Sequence, residues 1–112
     1  MHELSLCHSI GQIVRRHAED RRVTVVHLQV GQLRQVVPDT LVYCWGLVNE
    51  GTTCEGSVLD VDHVPALIEC RDCGAVTRLE EMAMVCGTCG STAVAVTAGE
   101  ELLVTSIELQ EV

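Results

Sequence analysis

The sequence predicts an α+β fold, in which two helices lie on a small three-stranded sheet and a four-cysteine module is inserted before the last strand. Apolar residues recur at spacings of three and four in two segments and alternate in three others. Two Cys-x-x-Cys pairs lie between the second and third alternating segments. The 112 residues are 47% hydrophobic but include no Phe, one Trp and one Tyr, which indicates an aliphatic core.

The first helix is predicted over residues 3–20 and the first strand over residues 23–32. The apolar stripe of the helix consists of Leu6, Ile10, Ile13, Val14 and His17. In the strand, period-two alternation separates Val26, Leu28 and Val30 from Val25, His27 and Gln29, which indicates one buried and one exposed face.

The second helix is predicted to begin at Pro38 and to stop near Gly51. Its buried stripe consists of Leu41, Cys44, Trp45 and Val48. Alternation predicts further strands at residues 58–64 and 101–108. We therefore expect residues 1–65 plus 100–112 to form one α/β module, with residues 66–99 as the insert.

The insert carries Cys70, Cys73, Cys86 and Cys89 as two knuckles separated by twelve residues. A two-residue gap lets both sulfurs of one turn face a single point, and two such turns complete a tetrahedron. A glycine follows each second cysteine, where a positive φ is expected. Dithiol redox centres and disulfides are the alternatives. A doubled knuckle in a reducing compartment favours structural zinc, so the module is interpreted as zinc-ribbon-like.

Three further cysteines and three histidines show no clear ligand spacing. Cys44 falls on the buried stripe of the second helix and is interpreted as a core residue. Cys7 is interpreted in the same way, with an accessory metal-ligand role as the alternative. Cys54 has no assigned role. His17, His27 and His63 are interpreted as structural or surface residues.

The sequence begins Met1-His2-Glu3, which places an imidazole one peptide bond from an α-amine. Such a segment can offer the amine, one or two backbone amide nitrogens and the imidazole to one metal ion. Four nitrogens in a plane suit Ni(II) or Cu(II). The alternative is that His2 is the solvated end of a first helix.

Composition argues against several functional classes. The net charge of −9 argues against nucleic acid as a partner. No signal peptide and no apolar run of membrane-spanning length is apparent, so we expect a cytoplasmic protein with reduced thiols. The sequence shows no nucleophile–base arrangement and no phosphate loop that would indicate an enzyme.

The opening Met1-His2-Glu3-Leu4-Ser5-Leu6, the two cysteine knuckles and the terminal segment from Gly99 to Glu108 resemble the HypA/HybF family of nickel-insertion accessory proteins. The resemblance covers essentially the whole chain. One departure is Gly87, because family members often carry proline after the first cysteine of the second knuckle. This change alters the turn but leaves the sulfurs in place.

The resemblance implies a nickel metallochaperone for [NiFe]-hydrogenase maturation. His2 would be the main nickel ligand, with the nitrogens of Met1 and its neighbours beside it and with help from Glu3. It also implies a HypB-type GTPase and the hydrogenase large subunit as partners and, in some bacteria, urease maturation proteins. The alternative function is a zinc-ribbon protein–protein interaction module without transferable metal.

Overall fold

The computed structural model describes residues 2–111 and divides into two compact units. The first unit comprises residues up to Gln29, Val36–Asp62 and the chain from Leu102 onward; the second comprises Val30–Gln35 and His63–Glu101. Along the chain the elements are α1 (His2–Ala18), β1 (Val23–Gly31), α2 (Pro38–Val48), β2 (Val58–Val64), β3 (Leu67–Cys70), β4 (Val76–Arg78), β5 (Val94–Ala98) and β6 (Leu102–Leu109).

The first unit is built on a three-stranded sheet in the order β2-β1-β6. The predicted alternation of β1 is confirmed, since Val26, Leu28 and Val30 are buried. Leu28 lines an apolar groove of about 340 Å³ together with Leu6 and Ile10 of α1, so this face of the sheet lies toward the helix. The two predicted helices and the three predicted strands are all present.

The buried stripe of α1 differs from the predicted one. The buried residues are Cys7, Ile10, Gly11, Val14 and Ala18. Ile13 is 44% exposed and His17 is exposed, which corrects their placement in the core. The reason is the close approach of α2, because the Cys7 thiol donates to the Leu41 carbonyl at 3.3 Å. The small residues Cys7 and Gly11 permit this close approach, whereas the predicted stripe contained the larger side chains of Ile13 and His17.

The stripe of α2 is largely as predicted, with Leu41, Cys44 and Trp45 buried and Val48 half-buried. Pro38 occupies the first turn, where its missing N–H removes no helical hydrogen bond. The Trp45 indole N–H donates to the Ser57 hydroxyl at 2.9 Å, so the loop that leads to β2 is tied to the helix.

The second unit contains three short antiparallel strands in the order β4-β3-β5, which the sequence had not resolved within the insert. Its buried cluster is small: Ala66, Ile68 and Leu79, with Leu33, Val94 and Val96 packed against it. The Gln32 side chain joins two parts of this unit. Its amide donates to the Leu79 carbonyl at 2.9 Å and accepts from the Ala66 N–H at 2.9 Å.

Among the described residues, no helix combines the length and the apolar character needed to cross a membrane.

The two hydrogen bonds of the Gln32 side chain, here called the Gln32 clamp, have a testable consequence. Gln32→Ala leaves the buried Ala66 N–H and the Leu79 carbonyl without their partner, which we expect to lower the free energy of unfolding by about 1–3 kcal/mol. Chemical denaturation followed by circular dichroism measures this change. The control is Gln12→Ala, an exposed position on α1, which should change stability by less than about 0.5 kcal/mol. Equal effects of the two substitutions would argue against the clamp.

Candidate metal sites

The four predicted zinc ligands lie together in the second unit. The ligand atoms of Cys70, Cys73, Cys86 and Cys89 are all within 4.8 Å of one another. Within residues 2–111, this is the one group of three or more His, Cys, Asp or Glu side chains so placed. The structure therefore brings together the four cysteines that the sequence spacing indicated.

Both cysteine knuckles adopt the same backbone turn. In the first, the Gly74 N–H donates to the Cys70 carbonyl at 3.0 Å, and in the second, the Gly90 N–H donates to the Cys86 carbonyl at 3.0 Å. Gly74 and Gly90 have φ of 77° and 75°, as predicted. A side chain would be strained at such a φ, so glycine allows the chain to turn away while the paired sulfurs face one point.

The sulfur positions fit a tetrahedral ion. The Sγ atoms of Cys70 and Cys89 lie 3.6 Å apart, as do those of Cys73 and Cys86. Four thiolates at about 2.3 Å from a zinc ion would be separated by about 3.8 Å, so the two distances are close to the expected value. No disulfide joins any of the seven cysteines. The donor set, four soft sulfurs without an open position, suits zinc in a structural role.

Backbone amides act to lower the pKa of all four thiols, but hydrogen bonds between the thiols and burial outweigh them at the second cysteine of each knuckle. The N–H groups of Cys89 and Thr88 donate to the Cys86 sulfur, each at 3.4 Å, and lower the pKa of Cys86 to about 6. The Cys73 N–H likewise lowers the pKa of Cys70. The Ser91 N–H acts to lower the pKa of Cys89, but hydrogen bonds with the other thiols and burial outweigh it and raise that pKa to about 12. In each knuckle the first cysteine thus ionises more readily than the second before any metal binds.

Gly87, the departure from the family pattern, has a structural partner. Its N–H donates to the Thr77 hydroxyl at 3.0 Å, which ties the second knuckle to β4. Proline at this position would lack the donor. A hydrogen bond from the Ser91 hydroxyl to the Asp72 carboxylate links the two knuckles as well. The sulfur cage is therefore held by contacts that do not involve the sulfurs.

Two of the three predicted nickel ligands, His2 and Glu3, lie at the start of α1. His2 is the first residue of the helix and its side chain is exposed, whereas Glu3 is half-buried. Met1 lies outside the described residues. The first amide N–H groups of any α-helix have no acceptor within the helix, so the backbone nitrogens of His2 and Glu3 are not needed for helical hydrogen bonds.

Cys7 and Cys44 lie in the core, which confirms their interpretation as packing residues. Cys7 is 0% exposed, and burial, followed by the charges of Cys44 and Glu3, raises its pKa to about 12. A buried thiol that resists ionisation and donates to a carbonyl is a poor metal ligand. Cys54, which had no assigned role, is also 0% exposed, and burial raises its pKa. Its polar sequence neighbours gave no signal of this burial.

His27 is the residue whose surroundings the sequence did not reveal. Its Nδ1 lies 2.8 Å from Asp60 Oδ2 and its Nε2 lies 2.6 Å from Glu108 Oε2. Alternation placed His27 on the outer face of β1, but the identity of the neighbouring strands decides which carboxylates face it.

The chain is similar along almost its whole length to proteins of one family. The family described as "Hydrogenase/urease nickel incorporation, metallochaperone, hypA" matches residues 1–109. The chain is 39% identical over 112 residues to hydrogenase maturation factor HypA of Nostoc sp., covering 100% of this chain and 98% of that protein. It is 39% identical over 111 residues to hydrogenase maturation factor HybF of Klebsiella pneumoniae, covering 96% of this chain and 98% of that protein.

A solved structure shows the same fold. The solution structure of the Ni metallochaperone HypA from Helicobacter pylori matches with a TM-score of 0.66 and 24% identity, covering 96% of each chain. Because the family match spans nearly the whole chain and the relatives are similar along their full length, the chain belongs to the HypA family of nickel-incorporation metallochaperones.

Proposed function

We propose that this chain binds Ni(II) at the segment Met1–Glu3, holds a structural zinc ion at its four clustered cysteines, and delivers the nickel during [NiFe]-hydrogenase maturation. The observation that supports the proposal is the exposed position of His2 at the N-terminus of α1, in a chain of the HypA family. A metallochaperone is a carrier, so the function needs binding and release rather than a catalytic group.

The start of a helix suits such a site because its amide nitrogens are free. A square-planar nickel ion would take the amine of Met1, the imidazole of His2 and one or both backbone nitrogens of His2 and Glu3. Each amide that binds loses a proton and becomes negative. Negative charge is stabilised at a helix N-terminus, where the helix dipole is positive. Glu3, half-buried in the first turn, adds a carboxylate near the ion.

The exposed position of His2 suits transfer as well as binding. Ligands at a chain end can be replaced one at a time by those of a partner, without opening a packed core. Selectivity does not follow from affinity, because Cu(II) binds nitrogen ligands more tightly than Ni(II) does. Metal supply and partner docking must therefore provide it.

The zinc ion would hold the second unit together. Three buried apolar residues form the cluster of this unit, so most of its residues gain little from burial. Structural zinc in small domains contributes on the order of 10 kcal/mol to folding. Along the sequence we assign the insert, residues 66–99, to this zinc module and residues 1–65 plus 100–112 to the nickel module. In the structure the zinc module also includes the flanking segments Val30–Gln35, His63–Pro65 and Glu100–Glu101, which pack within the second unit.

The partners are proposed on the basis of the family. The proposed route runs through a HypB-type GTPase to the hydrogenase large subunit in the cytosol, and urease maturation proteins are further candidates, since the family description names both enzymes. The net charge of −9 disfavours nucleic acid as a partner.

Nickel binding tests the first site. Relative to the native chain with a verified free Met1, His2→Ala and a chain extended by Gly-Ser before Met1 should bind nickel at least tenfold more weakly, about 1.4 kcal/mol. Each change removes a nitrogen ligand. Calorimetry gives the affinity, and visible absorption shows the square-planar Ni(II) bands. The matched control is His8→Ala, which removes another exposed histidine of the same helix and should bind normally.

Equal nickel affinity in all four proteins would reject the N-terminal site. If zinc were still present in that case, the alternative function, a zinc-ribbon interaction module without transferable metal, would be supported.

Thiol reactivity tests the second site. We expect one zinc ion per chain and no rapidly reacting thiol until a chelator removes the metal. Four thiols should then react with a disulfide reagent at pH 8, while Cys7, Cys44 and Cys54 should react only after denaturation, because they are buried and the pKa of Cys7 is about 12.

Cys89→Ser should abolish stoichiometric zinc, whereas Cys54→Ala should keep it and remove one slow thiol. Four rapid thiols before the chelator is added, or zinc retained in Cys89→Ser, would contradict the zinc assignment.

A further inference from the structure

His27 lies in β1, the central strand of the first unit, and contacts a carboxylate on each neighbouring strand. Asp60 of β2 meets its Nδ1 at 2.8 Å and Glu108 of β6 meets its Nε2 at 2.6 Å. A neutral imidazole has one N–H and can donate to only one carboxylate, whereas an imidazolium has two. The two short contacts therefore fit the protonated ring.

The surroundings favour the positive charge. Asp62 of β2 lines the same groove of about 360 Å³, and the groove residues from β6, Thr105 and Ser106, are uncharged. The other β1 residues on this face, Val25 and Gln29, are also uncharged, and α1 lies on the opposite face beside Leu28. The hydrogen bonds to Glu108 and then to Asp60 raise the pKa of His27 above its usual value, against a smaller effect of burial.

The strand β6 is an edge strand that is hydrogen-bonded to β1 alone within its sheet. It returns to the sheet after the whole second unit, and none of its residues is fully buried; Leu103 is 55% exposed. Side-chain hydrogen bonds cluster at its junction with β1. The Thr24 hydroxyl donates to the Glu108 carbonyl at 3.1 Å, and the Thr105 hydroxyl donates to the His27 carbonyl at 3.3 Å. A charge-assisted contact at this junction adds to the hydrogen bonds that hold β6, by the modest amount that exposed ion pairs contribute.

We propose that His27 is a pH-dependent tie across the sheet, which holds the terminal strand β6 against β1 while the ring is protonated and loosens it when the proton leaves. A group whose pKa is higher in the closed state contributes stability below its open-state pKa, and this stability is lost as the pH rises through the closed-state pKa. The tie therefore weakens as the pH rises through the raised pKa of His27. It uses no residue of either proposed metal site.

Hydrogen exchange of the full metal-loaded chain tests the tie. Opening of residues 102–109, corrected for the intrinsic exchange rate, should increase between pH 6 and 9 by about tenfold for each unit by which the Glu108 contact raises the pKa of His27. The difference between the ring pKa values of the native chain and Glu108→Gln, measured by NMR titration, gives that shift independently, so the two results must agree. His27→Gln should remove the pH dependence and leave β6 more open at low pH. The control His63→Gln, at another exposed histidine, should behave as the native chain does.

Two further substitutions locate the effect. Glu108→Gln and Asp60→Asn each remove one of the two carboxylates, and both should lower the pKa of His27. Only Glu108→Gln should flatten the pH dependence of β6, because it removes the partner on that strand.

The proposal is overturned by a pKa of His27 at or below its usual value, or by a β6 pH dependence that persists in Glu108→Gln. An equal pH dependence of α2 would overturn it too, since that result would indicate global rather than local opening.

Discussion

The second unit depends on the requirement that four sulfurs from two separate turns meet at one point. Its apolar cluster is too small to organise the 45 residues of this unit unaided. Ordering the backbone costs about 1–2 kcal/mol of entropy per residue, which three buried side chains offset only slightly, so the turns themselves must be well defined. The two knuckles solve this with the same pair of backbone hydrogen bonds and a glycine of positive φ. These contacts do not require a metal ion, so they can align the sulfurs in the metal-free form of the chain.

The two proposed metal sites differ in the way that their roles require. The sulfur site has every position filled by protein and is tied to its surroundings through Thr77 and Asp72, so an ion there would exchange slowly. The N-terminal site would be built from one exposed side chain and backbone atoms that no helical hydrogen bond requires. A partner protein could replace those ligands without unfolding anything. Retention and release are thus divided between two kinds of ligand on one chain.

Most of the fold could be predicted because periodicity marks long elements well. The helices, β1 and β2 were found for this reason, and the Cys-x-x-Cys spacing indicated the sulfur cluster directly. The stripe of α1 was misplaced because helix–helix contact selected the small residues Cys7 and Gly11, which hydropathy underrates. The short strands β3, β4 and β5 carry too few residues for a period to show. The partners of Gln32 and His27 depend on strand order, which local sequence does not contain.

Proton binding affects the two proposed interactions in opposite directions. Nickel can bind backbone amides only when they lose protons, so its affinity increases with pH. The tie at His27 needs a proton and weakens as the pH rises. The proposed nickel site and His27 both lie in the first unit. If the opening of β6 affects the adjacent helix α1, the pH dependence of nickel binding by the native chain would include that effect. Because α1 and β6 line a common apolar groove with Ile13 and Val104, such an effect has a direct physical route. The pH profile of nickel binding therefore identifies the nickel ligands only when His27→Gln is measured beside the native chain.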